Sequence, residues 1–284
     1  MRRLSRVDGR GGRRLSLSLG AWHPLATRAA RRSSDWVDLQ WSHIVAALRR
    51  VAPRARGRLL DVGCGDKPYE PIFLPHVTEY VGVEQETTFT ATAAAHKARR
   101  PDVLYDGARL PFEDRTFDTV LSVQVLEHTP RPQALVLEMS RVLKDEGVLI
   151  LSAPFTARLH EQPHDYFRYT PHGLAALTAA ADLEIVEVLA QGSLWSVLGH
   201  KLNSYLTLRV ARVAGLAQAL GKLSHENVAG QVRPRLWTLP VVGPAVVAVA
   251  AGARLLDRLA PEPEEALGFV AVARRVSRAG APRG

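Results

Sequence analysis

Cysteine is almost absent from this chain: Cys64 is the single one in 284 residues. That excludes an internal disulfide and a multi-cysteine metal centre, and it fits a reducing, cytoplasmic setting. Acidic residues are nearly missing from the first 34 positions, which hold nine arginines against Asp8 alone, a net +8. The other 250 residues carry 28 basic and 27 acidic groups, so the overall +9 is a property of the tail. A nearly neutral remainder argues against a broad nucleic-acid-binding face. The tail also lacks an uninterrupted apolar run of secretory type, because arginine and serine break each one. Its composition is that of a solvated, disordered segment, a composition shared with transit peptides and with arms for anionic lipid or nucleic acid. No internal repeat is evident.

What is present is an alternation of short apolar runs and helical patterns. Trp36, Leu39, Ile44, Val45 and Leu48 recur at helical spacing up to Val51, and Pro53 and Gly57 end that helix. Strands are expected at 58–62, 80–84, 102–105, 116–123, 147–152 and 183–189, with a last one at 267–273. Helices are expected near 70–75, over 88–99 and over 131–143. One more runs from about Thr170 to 181, with Thr170 as N-cap and Pro171 at the first helical position. Strands alternating with helices imply a parallel sheet covered on both faces.

The alternation stops at Gln191-Gly192. Helical patterns follow over about 194–223 and Leu236–Ala253, the second being 18 residues without a charge between Arg233, Arg235, Arg254 and Arg258. That run sits at the lower edge of spanning length and is interrupted by Pro240 and Pro244. It reads first as a buried or lid-forming hairpin and second as a membrane-contacting one. The organisation expected is a tail over 1–34, a core over 35–192, an apolar helical insertion over 193–262, the last core strand within 263–276, and a short tail over 277–284.

The richest chemical signal is Leu59-Leu60-Asp61-Val62-Gly63-Cys64-Gly65, an apolar strand running into two glycines, with Glu84 closing the next strand. A glycine turn lets backbone N–H groups approach a ligand, and an acid one strand over grips a ribose diol. A dinucleotide site needs a third glycine, and Pro68 stands there without an N–H for a pyrophosphate. Cys64 reads as a small packed residue in the turn, since no His or Lys is placed by sequence to activate it.

Taken with Asp106-Gly107-Ala108-Arg109-Leu110-Pro111-Phe112, Phe117-Asp118, Val125-Leu126-Glu127-His128 and Arg141-Val142-Leu143-Lys144-Asp145-Glu146-Gly147, this pattern resembles the class I S-adenosylmethionine-dependent methyltransferases, in their methyltransferase 11 branch. The resemblance covers 57–155 well and 165–190 loosely. It implies a doubly wound α/β fold, a seven-stranded mostly parallel Rossmann-like sheet, here with the helical insertion before the last strand. It implies S-adenosylmethionine as cofactor, with Asp61, Gly63, Cys64 and Gly65 at the turn, Glu84 on the ribose, Asp106, Gly107 and Ala108 at the adenine, and Gln124 beside the donor. Asp61 is expected to order the loop amides and to face the donor's positive charge.

Methyl transfer from a sulfonium is a displacement in which alignment and exclusion of water carry much of the rate, and a base helps when the acceptor is a hydroxyl or a protonated amine. His160-Glu161-Gln162-Pro163-His164-Asp165-Tyr166-Phe167-Arg168-Tyr169 follows the fifth strand and is the candidate acceptor loop. His164 is the expected base, with Asp165 or Glu161 orienting it, and His128 is a second candidate. A metal at His160 and His164 is not favoured, because no third ligand is implied. The acceptor expected is a small molecule or a lipid- or glycan-linked one, with the membrane surface as partner through 193–262. A donor-binding scaffold without turnover is the alternative. A nucleic-acid methyltransferase is weaker still: Ser122-Val123-Gln124-Val125 lacks the Pro-Pro-aromatic pattern that holds a flipped base.

Overall fold

The computed structural model describes residues 36–88, 101–207 and 239–276. Its centre is one sheet of seven strands: β1 (Arg58–Val62), β2 (Glu79–Gln85), β3 (Val103–Tyr105), β4 (Phe117–Val123), β5 (Leu143–Pro154), β6 (Leu183–Gln191) and β7 (Gly268–Arg275). They lie in the order β3-β2-β1-β4-β5-β7-β6. β7 runs antiparallel between β5 and β6, and the other pairings are parallel. This is the doubly wound, mostly parallel sheet that the strand–helix alternation predicts.

The central strands are apolar on both faces because helices cover both. Leu60, Val62, Val120, Leu149 and Leu151 face one core with Val136, Met139 and Val142. Leu59, Leu121, Ile150, Val270 and Val272 face the other with Ile44, Leu48 and Val51. The helix α1 (Leu39–Val51) begins at Asp38, whose carboxylate accepts the Trp41 N–H at 3.0 Å. Trp36, expected on the apolar face of this helix, is instead exposed and stacks under the Arg254 guanidinium, 5.3 Å from the ring centre.

α2 (Glu70–Phe73) is short, as expected. α3 (Pro132–Val142) buries Val136 and Met139, while Leu143 already belongs to β5. α4 (Pro171–Ala179) starts at Thr170, whose hydroxyl accepts the Gly173 N–H at 3.0 Å. The helix expected over 88–99 falls almost wholly outside the described residues.

Between β6 and β7 stand α5 (Leu194–Tyr205) and α6 (Leu239–Leu259). The uncharged run at 236–253 is therefore displaced toward its basic flank: α6 continues six residues past Ala253, taking in Arg254, Asp257 and Arg258. Asp257 explains that continuation. Its carboxylate accepts the hydroxyls of Ser193 and Ser196, and the Ser196 hydroxyl also meets His43 Nε2 at 2.6 Å, which ties both helices to α1. Arg254 donates to the Trp36 carbonyl and the Ser42 hydroxyl, each at 2.7 Å. Among the described residues no helix is long and apolar enough to cross a membrane.

Candidate functional site

In the order β3-β2-β1-β4 the chain leaves β1 toward β2 on one side and returns as β4 on the other. Such a switch point opens a crevice at the carboxyl ends of the strands, and ligands of doubly wound folds bind there. The Gly63–Gly65 turn closes β1 at that point. Gly63 has φ +74°, and a Cβ there would come within 2.4 Å of Val125 Cγ2, so no side chain fits. Gly65, at φ +48°, is the opposite case: a Cβ there would meet nothing within 4 Å, so its face looks into open space.

The turn is held from below. The Gly63 and Cys64 N–H groups donate to the Val83 carbonyl at 2.9 and 3.2 Å. The Gly65 N–H donates to Glu84 Oε2 and the Gln85 N–H to Glu84 Oε1, both at 2.9 Å. Glu84 therefore sits at the crevice with each carboxylate oxygen anchored by one amide and a further lone pair left to accept. Burial raises its pKa, against the two amides that lower it.

Asp61 departs from its expected task. Its carboxylate accepts the Tyr80 hydroxyl at 2.5 Å, and the loop amides go to Val83 and Glu84 instead. Burial pushes the Asp61 carboxyl up to about 7. Cys64 is buried over Gly82, where a Cβ would lie 2.7 Å from its sulfur, and burial pushes its thiol up. It is a packing residue of the turn.

At the end of β3, Asp106 accepts the Ala108 N–H at 2.8 Å, and Gly107 at φ +84° leaves room for the Gln85 amide. Asp106, Gly107 and Ala108 are exposed, which leaves them accessible at the rim. Gln124 holds a left-handed backbone at φ +56°. Its side-chain amide donates to the Ser152 hydroxyl at 3.0 Å, which also accepts Gln191 at 2.7 Å, so the end of β4 is pinned to β5 and β6.

The loop after β5 folds back onto the turn after β4. The Tyr166 N–H donates to the Glu127 carbonyl at 2.8 Å, and His128 Nδ1 lies 2.7 Å from the His164 carbonyl. The expected pairing of His164 with Asp165 does not form. Asp165 accepts both ends of the Arg168 guanidinium at 2.5 and 2.7 Å and the His160 N–H at 3.0 Å. The Arg168 hydrogen bonds hold the Asp165 carboxyl down at about 2. His164 is exposed, with Nδ1 3.1 Å from the Tyr166 hydroxyl, so a tyrosine takes the orienting place expected of Asp165.

His160 lies beside His128, ring centres 4.7 Å apart and nearly perpendicular. Glu161 reaches His128 rather than His164, Oε2 to Nε2 at 3.8 Å. The residue that motif reading passed over is Glu127. It is fully buried, and neither carboxylate oxygen has a hydrogen-bond partner. Its position just before His128 was visible in the sequence, but its burial depends on the returning loop.

A cavity of about 420 Å³ is lined by His43, Arg50, Gly192, Ser193, Asp257 and Pro261 among others, and includes no residue of the glycine turn.

Residues 60–151 match the family model described as a methyltransferase domain, of the methyltransferase 11 type. An uncharacterized methyltransferase of Mycobacterium tuberculosis is 38% identical over 96 residues, which is 33% of this chain and 38% of that protein. One from Mycobacterium marinum gives the same identity and coverage. The chain thus matches little more than a third of the length of these relatives. An S-adenosylmethionine-dependent methyltransferase of known structure from Mesorhizobium loti is 15% identical, with a TM-score of 0.46 over 84% of this chain and 98% of that one. The match to the methyltransferase domain model runs from β1 into β5 and covers about a third of the chain.

Proposed function

We propose that the chain binds S-adenosylmethionine over the Gly63–Gly65 turn and transfers its methyl group to a small-molecule acceptor or a lipid- or glycan-linked one. The observation that carries this reading is the open face of Gly65, next to an amide-anchored Glu84. Backbone without a side chain meets the ligand there, and the free lone pairs of Glu84 accept the ribose hydroxyls. Asp61 places a carboxyl under the turn, opposite a cationic ligand. Asp106, one oxygen held by the Ala108 N–H, offers its other oxygen as acceptor to the adenine amino group. The bound donor supplies a methyl group already activated on a sulfonium.

The protein's share of the chemistry is then alignment, exclusion of water and custody of one proton. His164 is assigned as the group that takes that proton from an acceptor hydroxyl, its ring set by the Tyr166 hydroxyl. The exposed Leu198, Leu202 and Tyr205 on α5 and Leu255 and Leu259 on α6 support an apolar acceptor delivered from a membrane surface.

The test is transfer of label from methyl-labelled donor into a whole-cell extract split into lipid and aqueous fractions. Label in a discrete product is expected. Tight donor binding with no labelled product would favour the scaffold reading. His164→Ala should lower turnover by about 10²–10⁴-fold with donor affinity retained; an unchanged rate removes His164 from the proton transfer.

A further inference from the structure

Glu127 is buried with both carboxylate oxygens unpartnered. A buried carboxylate without donors is costly, and native structures supply such groups with hydrogen bonds, a cation or a proton. Arg168 is the guanidinium that acts electrostatically on Glu127, but its nitrogens are committed to Asp165 and to the carbonyls of Ala157, Arg158 and Phe167. What faces Glu127 is a pair of imidazoles. One ligand atom each from Glu127, His128 and His160 lies within 4.8 Å of the others, with His128 Nε2 3.9 Å from Glu127 Oε1.

The two rings are turned so that each has one nitrogen occupied and the other free. His128 Nδ1 is placed to donate to the His164 carbonyl at 2.7 Å, which leaves the Nε2 lone pair on the Glu127 side. His160 Nδ1 is placed to donate to the Arg158 carbonyl at 3.1 Å and lies 3.4 Å from Asp165 Oδ2, which leaves its Nε2 lone pair free. A carbonyl or carboxylate behind each histidine is the arrangement that fixes tautomer and ring direction at metal centres.

We infer that Glu127, His128 and His160 form a binding site for a divalent transition cation with zinc-like ligand preference. Two imidazoles and a carboxylate suit zinc, manganese, iron or cobalt and disfavour magnesium and calcium, which prefer an all-oxygen shell. Ligand atoms about 2.1 Å from one ion lie roughly 3.4 Å apart, so the cluster needs a contraction of about 1 Å. Glu161, exposed and 3.8 Å from His128 Nε2, stands at the open side. Three protein ligands with an open position are the pattern of a cation that also meets substrate. Cation binding stands on these residues alone; a role in lowering the pKa of an acceptor hydroxyl rests on the methyl-transfer reading. This reading assigns His128 to the cation rather than to proton abstraction, and it replaces the expectation that no metal is held.

The test is calorimetric titration of the chelator-treated full chain with Zn²⁺, with Co²⁺ absorption as a second readout on the unaltered protein. One saturable site is expected, with a Co²⁺ spectrum shifted from that of the aqueous ion. Glu127→Gln, which keeps the side-chain shape, and His160→Ala should each weaken binding by about 10–100-fold or more, while His172→Ala, on the exposed side of α4, should change it by less than about 2-fold. Absence of saturable binding with an aqueous Co²⁺ spectrum overturns the site, as does an affinity unaffected by both Glu127→Gln and His160→Ala. S-adenosylhomocysteine affinity measured on the same samples separates the two readings: donor binding without zinc binding sinks only the cation site, and the reverse sinks only the donor site.

Discussion

Gly63 and Gly65 sit two residues apart and do different work. Gly63 is required by the fold, since a side chain would strike Val125. Gly65 has a left-handed backbone but open space where a side chain would stand, and faces the crevice. Gly63→Ala should therefore lower the melting temperature, at a cost of about 1–3 kcal/mol in strain. Gly65→Ala should instead fold with a smaller loss and weaken S-adenosylhomocysteine by about 10-fold or more in a calorimetric titration. Equal melting temperatures for Gly63→Ala and the parent would refute the steric account.

Asp61 adds a pH signature. Its folded pKa of about 7 lies above the ordinary aspartate value, so the protonated form favours the fold. That contribution is complete below about pH 4 and is lost as pH rises through 7. Melting temperature should fall between about pH 5 and 8, and Asp61→Asn should reduce that slope; an identical slope in the variant would contradict the assignment. The glycine turn and Glu84 were legible in the sequence because they follow from local rules, a strand end and a tight turn. The roles of Asp61 and Glu127 were not legible, since each is decided by a neighbour about 20 or more residues away: Tyr80, and Tyr166 folding over Glu127. Asp165 is claimed within its own loop, by Arg168 and the His160 N–H.

At the scale of elements, the strand–helix alternation gave the sheet and its helices, with the largest errors at their ends. β5 runs from Leu143 rather than 147 because Leu143 already pairs with Phe117 across a register shift. α6 extends to Leu259 because Arg254 and Asp257 find partners on α1 and α5, which no period along one segment reveals. Asp257 is the polar joint of that assembly. Asp257→Ala leaves the Ser193 hydroxyl without its acceptor and the Ser196 hydroxyl with His43 alone, and should cost about 1–3 kcal/mol. The loss should appear as faster amide exchange in α5 and α6, with β1 and β4 unchanged. Exchange that rises equally across the sheet would mean that these helices are not an independently loosening layer.

At the scale of the molecule, the carboxyl edge of one sheet gathers two sets of groups. The glycine turn, Glu84 and the Asp106 loop stand over β1, β2 and β3, and the Glu127, His128 and His160 cluster stands after β4 and β5. The family match along 60–151 spans the first set and, of the second, Glu127 and His128, whereas His160 and His164 lie beyond it. In the proposed function, the crevice at Gly65 holds the donor. A crystal structure with S-adenosylhomocysteine tests it most directly. The account predicts the ligand over Gly65, its ribose hydroxyls on Glu84 and its adenine beside Asp106 and Ala108. Ligand bound instead in the cavity beside His43 and Ser193, or a crevice left empty at saturating ligand, would contradict it.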